Sequence, residues 1–423
     1  VMPRFQNTYG NVSGSYQSWG DKTLRRFDPE GFFNTGSNVN NSLTFSTGTQ
    51  KHQTYFSAAT TNARNILPNS GYNRYNFTFR DVTKFLKDKL TVDLSASYIL
   101  QDNKNMIAAG KYFNPLPALY LFPRGDDFDN VRLYQRWDES RNLYTQAWDY
   151  GSGDMSFQNP YWIMNKMINQ TKKRRYMLSA NLKYDVTDWL DVTGRVKVDN
   201  ADMDITEKRY AGTDTNFAGE KGMYSIIKRN DRQIYADAIA NIDLTFAGDY
   251  HLSANVGTSL KDVRMDFMGW GGDLRKIPNF FSITNISTTN YKEREDGSHI
   301  QSQSIFANVE LAWKSMLYLT VTGRNDWESA LAFSKYKSFF YPSVGLSAVV
   351  SEMVDMPEWF SFLKVRGSYS AVGSSYAAYL TKPYYDYKGQ THEWDSLHRF
   401  PNENLKPEKT KSWEVGLNAR FFG

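Results

Sequence analysis

Thirteen stretches of this chain alternate apolar and polar residues, and the connections between them alternate short and long. Side chains of a strand point to opposite faces with period two, so each stretch builds one apolar face and one wet face. In residues 91–100, Val92, Leu94, Ala96, Tyr98 and Leu100 oppose Thr91, Asp93, Ser95 and Ser97. In residues 190–199, Leu190, Val192, Gly194, Val196 and Val198 oppose Asp191, Thr193, Arg195, Lys197 and Asp199. Residues 175–186, 234–246, 250–260, 305–313 and 413–421 behave alike, and a helical period fits none of them as well. Runs of about ten residues cross a bilayer as tilted strands. The expected fold class is therefore all-β, an antiparallel transmembrane β-barrel with lipid outside and water inside. On that reading Val196→Arg costs about 2–4 kcal/mol at mid-membrane, while Arg195 faces the lumen and tolerates change.

The connections agree. Residues 47–51, 86–90, 185–189, 246–250, 313–317 and 350–361 are short; residues 61–72, 101–171, 203–224, 261–301, 325–336 and 372–411 are long. Tight turns on one side and large extracellular loops on the other mark a membrane barrel. No fixed sequence period suggests a soluble repeat protein. Rings at strand ends, among them Tyr98, Trp189, Phe246, Tyr250 and Trp313, suit interfacial girdles. No apolar run reaches the roughly eighteen residues of a membrane helix. With no Cys, disulfide frameworks and Cys-based zinc sites are excluded. The net charge of +5 is dispersed and does not point to nucleic acid. The five His show no metal spacing, including His392 and His398, and no cofactor motif is present.

Several stretches resemble the SusC/RagA-type TonB-dependent outer-membrane transporters of Bacteroidetes. Residues 114–125 (NPLPALYLFPRG) and 158–163 (QNPYWI) carry the resemblance best. Residues 32–36 (FFNTG), 184–189 (YDVTDW), 322–326 (TGRND), 341–345 (YPSVG), 363–369 (LKVRGSY) and 404–410 (NLKPEKT) follow in order. The resemblance implies localisation in the outer membrane and a plug inside a barrel of about 22 strands. It implies a SusD-like surface lipoprotein over the mouth, and TonB-energised import of a large nutrient, an oligosaccharide before a peptide. It implies that residues 1–33 are the tail of the plug and residues 34–423 the N-terminal part of the barrel. Thirteen strands leave an edge unpaired in lipid, and bacterial barrels close with even numbers. The expectation is thus about half a barrel, without most of the plug, the TonB box or the final strands.

Candidate ligand contacts are the loop aromatics Trp137, Trp148, Tyr150 and Trp162, because sugar C–H faces stack on rings. The same rings also suit a small core within the loop. Lys172, Lys173, Arg174 and Arg175 lie at the expected extracellular rim, where lipopolysaccharide phosphates would meet them. Paired carboxylates such as Asp202, Asp204 and Glu207, or Asp326 and Glu328, fit a glycosidase in type. Surplus acids on a wet lumen face explain them better, so no catalytic residue is assigned and an enzyme is not expected. The triplet Arg124-Gly-Asp126 falls inside the family-like stretch and is read as chance. Two other functions suit the sequence less well: a surface glycan-binding β-protein without transport, and a secreted polysaccharide hydrolase.

Overall fold

The computed structural model describes residues 28–122, 128–148, 157–374, 376–382, 385–388, 393–397 and 400–422. The strands are β1 Ser37–Gly48, β2 His52–Arg64, β3 Gly71–Phe85, β4 Leu90–Lys104, β5 Gln135–Asp138, β6 Leu143–Gln146, β7 Met167–Thr187, β8 Leu190–Tyr210 and β9 Gly222–Phe246. They continue as β10 Tyr250–Leu274, β11 Ile286–Trp313, β12 Leu317–Glu328, β13 Ser338–Val349, β14 Phe360–Ser374, β15 Tyr385–Lys388, β16 Glu393–Leu397 and β17 Glu408–Phe421. Three short helices, α1 Pro115–Tyr120, α2 Asp129–Arg132 and α3 Pro160–Lys166, lie between β4 and β7.

Thirteen strands form one antiparallel sheet, ordered as they follow along the chain. The hairpins β5–β6 and β15–β16 are separate two-stranded sheets inside connections. The expected all-β antiparallel architecture is the one adopted. Short turns close one end. In the turn between β9 and β10, Ala247 and Gly248 have φ of 50° and 74°, which Gly248 adopts without a Cβ clash. Rings gather at this end: Phe246 stacks on Tyr250 at 5.6 Å, and Trp359 lies 5.7 Å from Phe360.

Register fixes the two faces. Leu94, Ala180, Val196, Ala236 and Leu260 are successive rung partners on one face. Leu178, Val196 and Val256 remain 47–48% exposed there, as side chains do that face an apolar solvent rather than a core. From Tyr250 to Leu260 the strand rises about 34 Å, or about 24 Å at a tilt of about 45°, close to the ~25 Å apolar band of membrane barrels. The opposite face is polar and cross-linked. Ser95 and Ser179 hydroxyls bond at 2.7 Å, and Arg80 donates to Asp93 at 2.8 and 2.9 Å.

Two expectations need correction here. Arg195 is not a tolerant wet position: it donates to Asp237 at 2.7 and 2.9 Å, and the Asp237 side chain is fully buried. Removing Arg195 strands that carboxylate. The strands also run past their expected ends. β10 and β11 pair from Tyr250 and Trp313 out to Leu274 and Ile286, so the connection expected at 261–301 is only residues 275–285. Likewise 101–171 shortens to 105–166, and 203–224 to 211–221. The added rungs carry charge on the face that is apolar lower down, which hides the alternation.

Candidate functional site

The buried core of the molecule lies at the long-connection end of the sheet. There Phe32, Leu119, Val131, Trp162, Ile163 and Met164 pack together. Residues 28–33 therefore belong, by packing, to the same body as the 105–166 connection; residues 1–27 lie outside the described residues. The motif at residues 158–163 shows why this body folds. Asn159 caps α3 by accepting from the Tyr161 and Trp162 amides at 2.9 and 3.4 Å, with Pro160 in the first turn. Its side-chain amide donates to the carbonyls of Val131 and Ala147 at 2.8 and 3.0 Å. One side chain thus ties three segments. Burial raises the Tyr161 pKa and lowers that of Lys166, whose ammonium sits 4.7 Å over the Tyr210 ring.

The four candidate aromatics separate. Trp162 is fully buried, and its indole N–H donates to the Thr213 hydroxyl at 2.9 Å. It is a packing residue and not a ligand contact, because no face of the ring reaches solvent. Trp148 is half-buried against the same core. Trp137 is 50% exposed on the β5–β6 hairpin, edge-to-face with Tyr144 at 5.2 Å. Tyr150 lies outside the described residues, as do Arg124, Asp126, His392 and His398. The hairpin is anchored to the 211–221 connection. Arg141 donates to the Glu220 carbonyl, and Gly212 at φ 94° lies where a Cβ would come within 2.6 Å of Thr145 Cα. The Ser140 hydroxyl, donating at 2.6 Å, holds the Asp138 pKa below its ordinary value.

The basic tetrad does not form one patch. Lys172 and Arg174 share the face of Tyr176 and Leu178; Lys173 and Arg175 point to the opposite face. Arg174 donates to Asp204 at 3.0 Å, and the Arg175 Nε donates to Asp199 at 2.7 Å. Asp202 and Asp204 are likewise misplaced by the lumen reading. They continue the face of Val196 and Val198, above the apolar band, while Glu207 lies on the other face and accepts from Arg209 at 3.1 Å. Asp326 accepts from Arg324 at 2.8 Å and from the Tyr341 hydroxyl, which leaves it committed to a structural network.

The family model described as TonB dependent receptor-like, beta-barrel matches residues 120–423. The chain belongs to this family. TonB-dependent receptor P26 of Formosa agariphila is 24% identical over 393 residues, covering 89% of this chain and 37% of that protein. Structures of the RagAB peptide transporter, and of the RagAB peptide importer in its open-open state, superpose with TM-scores of 0.75 and 0.77 at 16% identity. They cover 95% and 96% of this chain and 45% of theirs. The ferric enterobactin receptor PfeA of Pseudomonas aeruginosa gives a TM-score of 0.53 at 12% identity, over 95% of this chain and 50% of its own. The chain thus spans about half or less of the length of these TonB-dependent receptors and receptor-like structures.

One surface of this TonB-dependent receptor barrel went unread in the sequence. Above the apolar band, Met203, Ile205, Ile227, Met265 and Phe267 stand half-buried on the polar face. Arg229 is the rung partner of both Met203 and Phe267 and donates to Asp231 at 2.8 Å. A signal was present. On β8 apolar residues hold even positions through Val198 and odd positions from Ala201 to Ile205; on β10 they switch between Leu260 and Val263. Register is continuous across both switches, so the apolar residues change face.

Proposed function

We propose that this chain forms part of an outer-membrane importer for a large nutrient, energised by TonB. The observation that carries the reading is the sheet itself: an apolar face of bilayer height, backed along its length by a face of ion pairs and hydrogen-bonded polar groups. A soluble glycan-binding protein or hydrolase has no use for an apolar outer face of that height. The connections from 105–166 and 211–221 form the mouth, with a SusD-like surface lipoprotein as the expected partner above it. Lys172 and Arg174, outward and just beyond Tyr176, stand at headgroup depth and meet lipopolysaccharide phosphates.

Two features bear on the cargo. The exposed Trp137–Tyr144 pair suits the C–H faces of an oligosaccharide. The apolar wall of Met203, Ile205, Ile227, Met265 and Phe267 suits side chains of a peptide, the cargo named for the RagAB importer. Uptake of labelled oligosaccharide and peptide pools by cells expressing the full-length protein separates these. Accumulation that disappears in a TonB-deficient strain is the expected result. Binding to the cell surface without TonB-dependent accumulation contradicts import and favours a surface binding protein.

A further inference from the structure

On the first two hairpins the outward apolar run ends in a polar, positively charged cleft. Tyr75 and Phe77 of β3 face outward with Tyr98 of β4 and Tyr176 of β7, and all four rings are exposed. Four positions above Tyr75 on the same face stands Gly71. Its rung partners are Arg64 on one side and Lys104 on the other. Two cations thus flank a residue that has no side chain, about 10 Å apart across one strand. Asn34, Asn65, Asn69 and Ser70 line the same cleft of about 440 Å³. Gly71 lies about 14 Å along the strand from Tyr75, or about 10 Å higher at a tilt of about 45°. Directly above a row of interfacial rings, that is the level of headgroups and not of acyl tails.

The cleft is pre-built and its charge is not balanced. The Asn69 side chain donates to the Met164 carbonyl at 2.9 Å and accepts from the Lys104 ammonium at 2.7 Å, which holds that cation in place. Asn62 donates to Asn73 at 2.8 Å and to the Tyr75 hydroxyl at 3.2 Å, tying the amides to the ring row. Elsewhere on the sheet Arg80, Arg174, Arg195 and Lys228 each have a carboxylate partner. Among the described residues Arg64 and Lys104 have none. Asp102, the acid of the cleft, is taken up by Gln170, which donates to it at 2.8 and 3.0 Å. We propose that this cleft binds the phosphorylated sugar headgroup of an outer-leaflet glycolipid, with a phosphate between Arg64 and Lys104. Arginine and lysine N–H groups suit phosphate oxygens, and amides that both donate and accept suit sugar hydroxyls. The outward face selects a lipid over imported cargo, which passes on the other side of the sheet. The rings below seat the acyl chains. The inference rests on the proposed membrane reading and adds an enclosed site to the open contact at Lys172 and Arg174.

The test uses full-length protein extracted from outer membranes in mild detergent, with bound lipopolysaccharide read by native mass measurement. The wild-type protein is expected to carry it. Arg64→Ala together with Lys104→Ala is expected to lower occupancy at least tenfold while the barrel keeps its folded electrophoretic mobility. Arg74→Ala together with Lys84→Ala removes the same charge from the inward face of β3 and is expected to change occupancy less than twofold. Glucosamine 1-phosphate in hundredfold excess, which has the headgroup chemistry but no acyl chains, is expected not to displace the glycolipid. Occupancy unmoved by the Arg64 and Lys104 changes overturns the proposal, as does an equal fall in the inward-face control or no glycolipid on the wild-type protein. Displacement by the soluble sugar phosphate makes the cleft a site for a free anion and overturns the lipid assignment. The membrane reading is judged separately, by thiol labelling along β8, so its failure and that of the cleft are told apart.

Discussion

Along β10, the residues from Tyr250 to Leu260 and those from Asp262 to Trp270 share one continuous pleat but not one environment. In the lower part Tyr250, Leu252, Ala254, Val256 and Leu260 face outward, and Asn255 and Ser259 face inward. In the upper part Asp262, Arg264 and Asp266 face outward, and Val263, Met265 and Phe267 face inward. β8 reverses in the same way between Val198 and Ala201. The pleat reports that a strand exists; the parity of its apolar residues reports which side of it is wet. On the proposed reading the reversal marks the upper edge of the bilayer, with lipid outside below it and the charged rungs in water above it.

The largest expected effect lies at the mouth. Trp162→Ala removes a fully buried ring from the connection core and is expected to cost about 3–5 kcal/mol there. Limited proteolysis within residues 105–166 reads it, with the barrel's folded mobility unchanged; joint loss of both would make mouth and barrel one cooperative unit. Next is the same-face pair on β8. Val196→Arg is expected to cost about 2–4 kcal/mol in lipid, and Asp204→Ala, eight positions along the same face, about 1 or less, because it loses only ion pairs to the exposed Arg174 and Lys228. Denaturant unfolding in lipid vesicles measures both, and equal costs would erase the boundary between the two regions. On the inward face, Arg195→Ala is expected to cost about 1–3 kcal/mol by leaving the buried Asp237 unpaired. Arg195→Ala with Asp237→Ala together should recover part of that loss. The smallest effect falls on Trp137→Ala, within about 0.5 kcal/mol of wild type because the ring is exposed. Its reading is cargo affinity, where a fall of severalfold for oligosaccharide but not peptide supports the sugar contact, and no change at either removes it.

The strands themselves were legible because lipid imposes a strict alternation, and β4, β8 and β10 keep it over the bilayer. Their upper ends were not, because charge on both faces of residues 199–210 and 261–274 looks like loop when the reader expects one apolar face. Trp162 was legible as important but not as buried. Its partner Thr213 is fifty-one residues away, and the Asn159 cap draws on Val131 and Ala147. The basic tetrad failed for a simpler reason: four consecutive residues on a strand cannot share a face.

Accessibility along β8 tests the central claim most directly. Single Cys residues are placed at positions 192, 196, 198, 202 and 204 of the Cys-free full-length protein, and a membrane-impermeant thiol reagent is applied to intact cells. Val192→Cys, Val196→Cys and Val198→Cys should stay unlabelled, while Asp202→Cys and Asp204→Cys react fully. Uniform labelling along this face, or labelling that follows no boundary between positions 198 and 202, would contradict a lipid-facing band that ends where the apolar parity reverses.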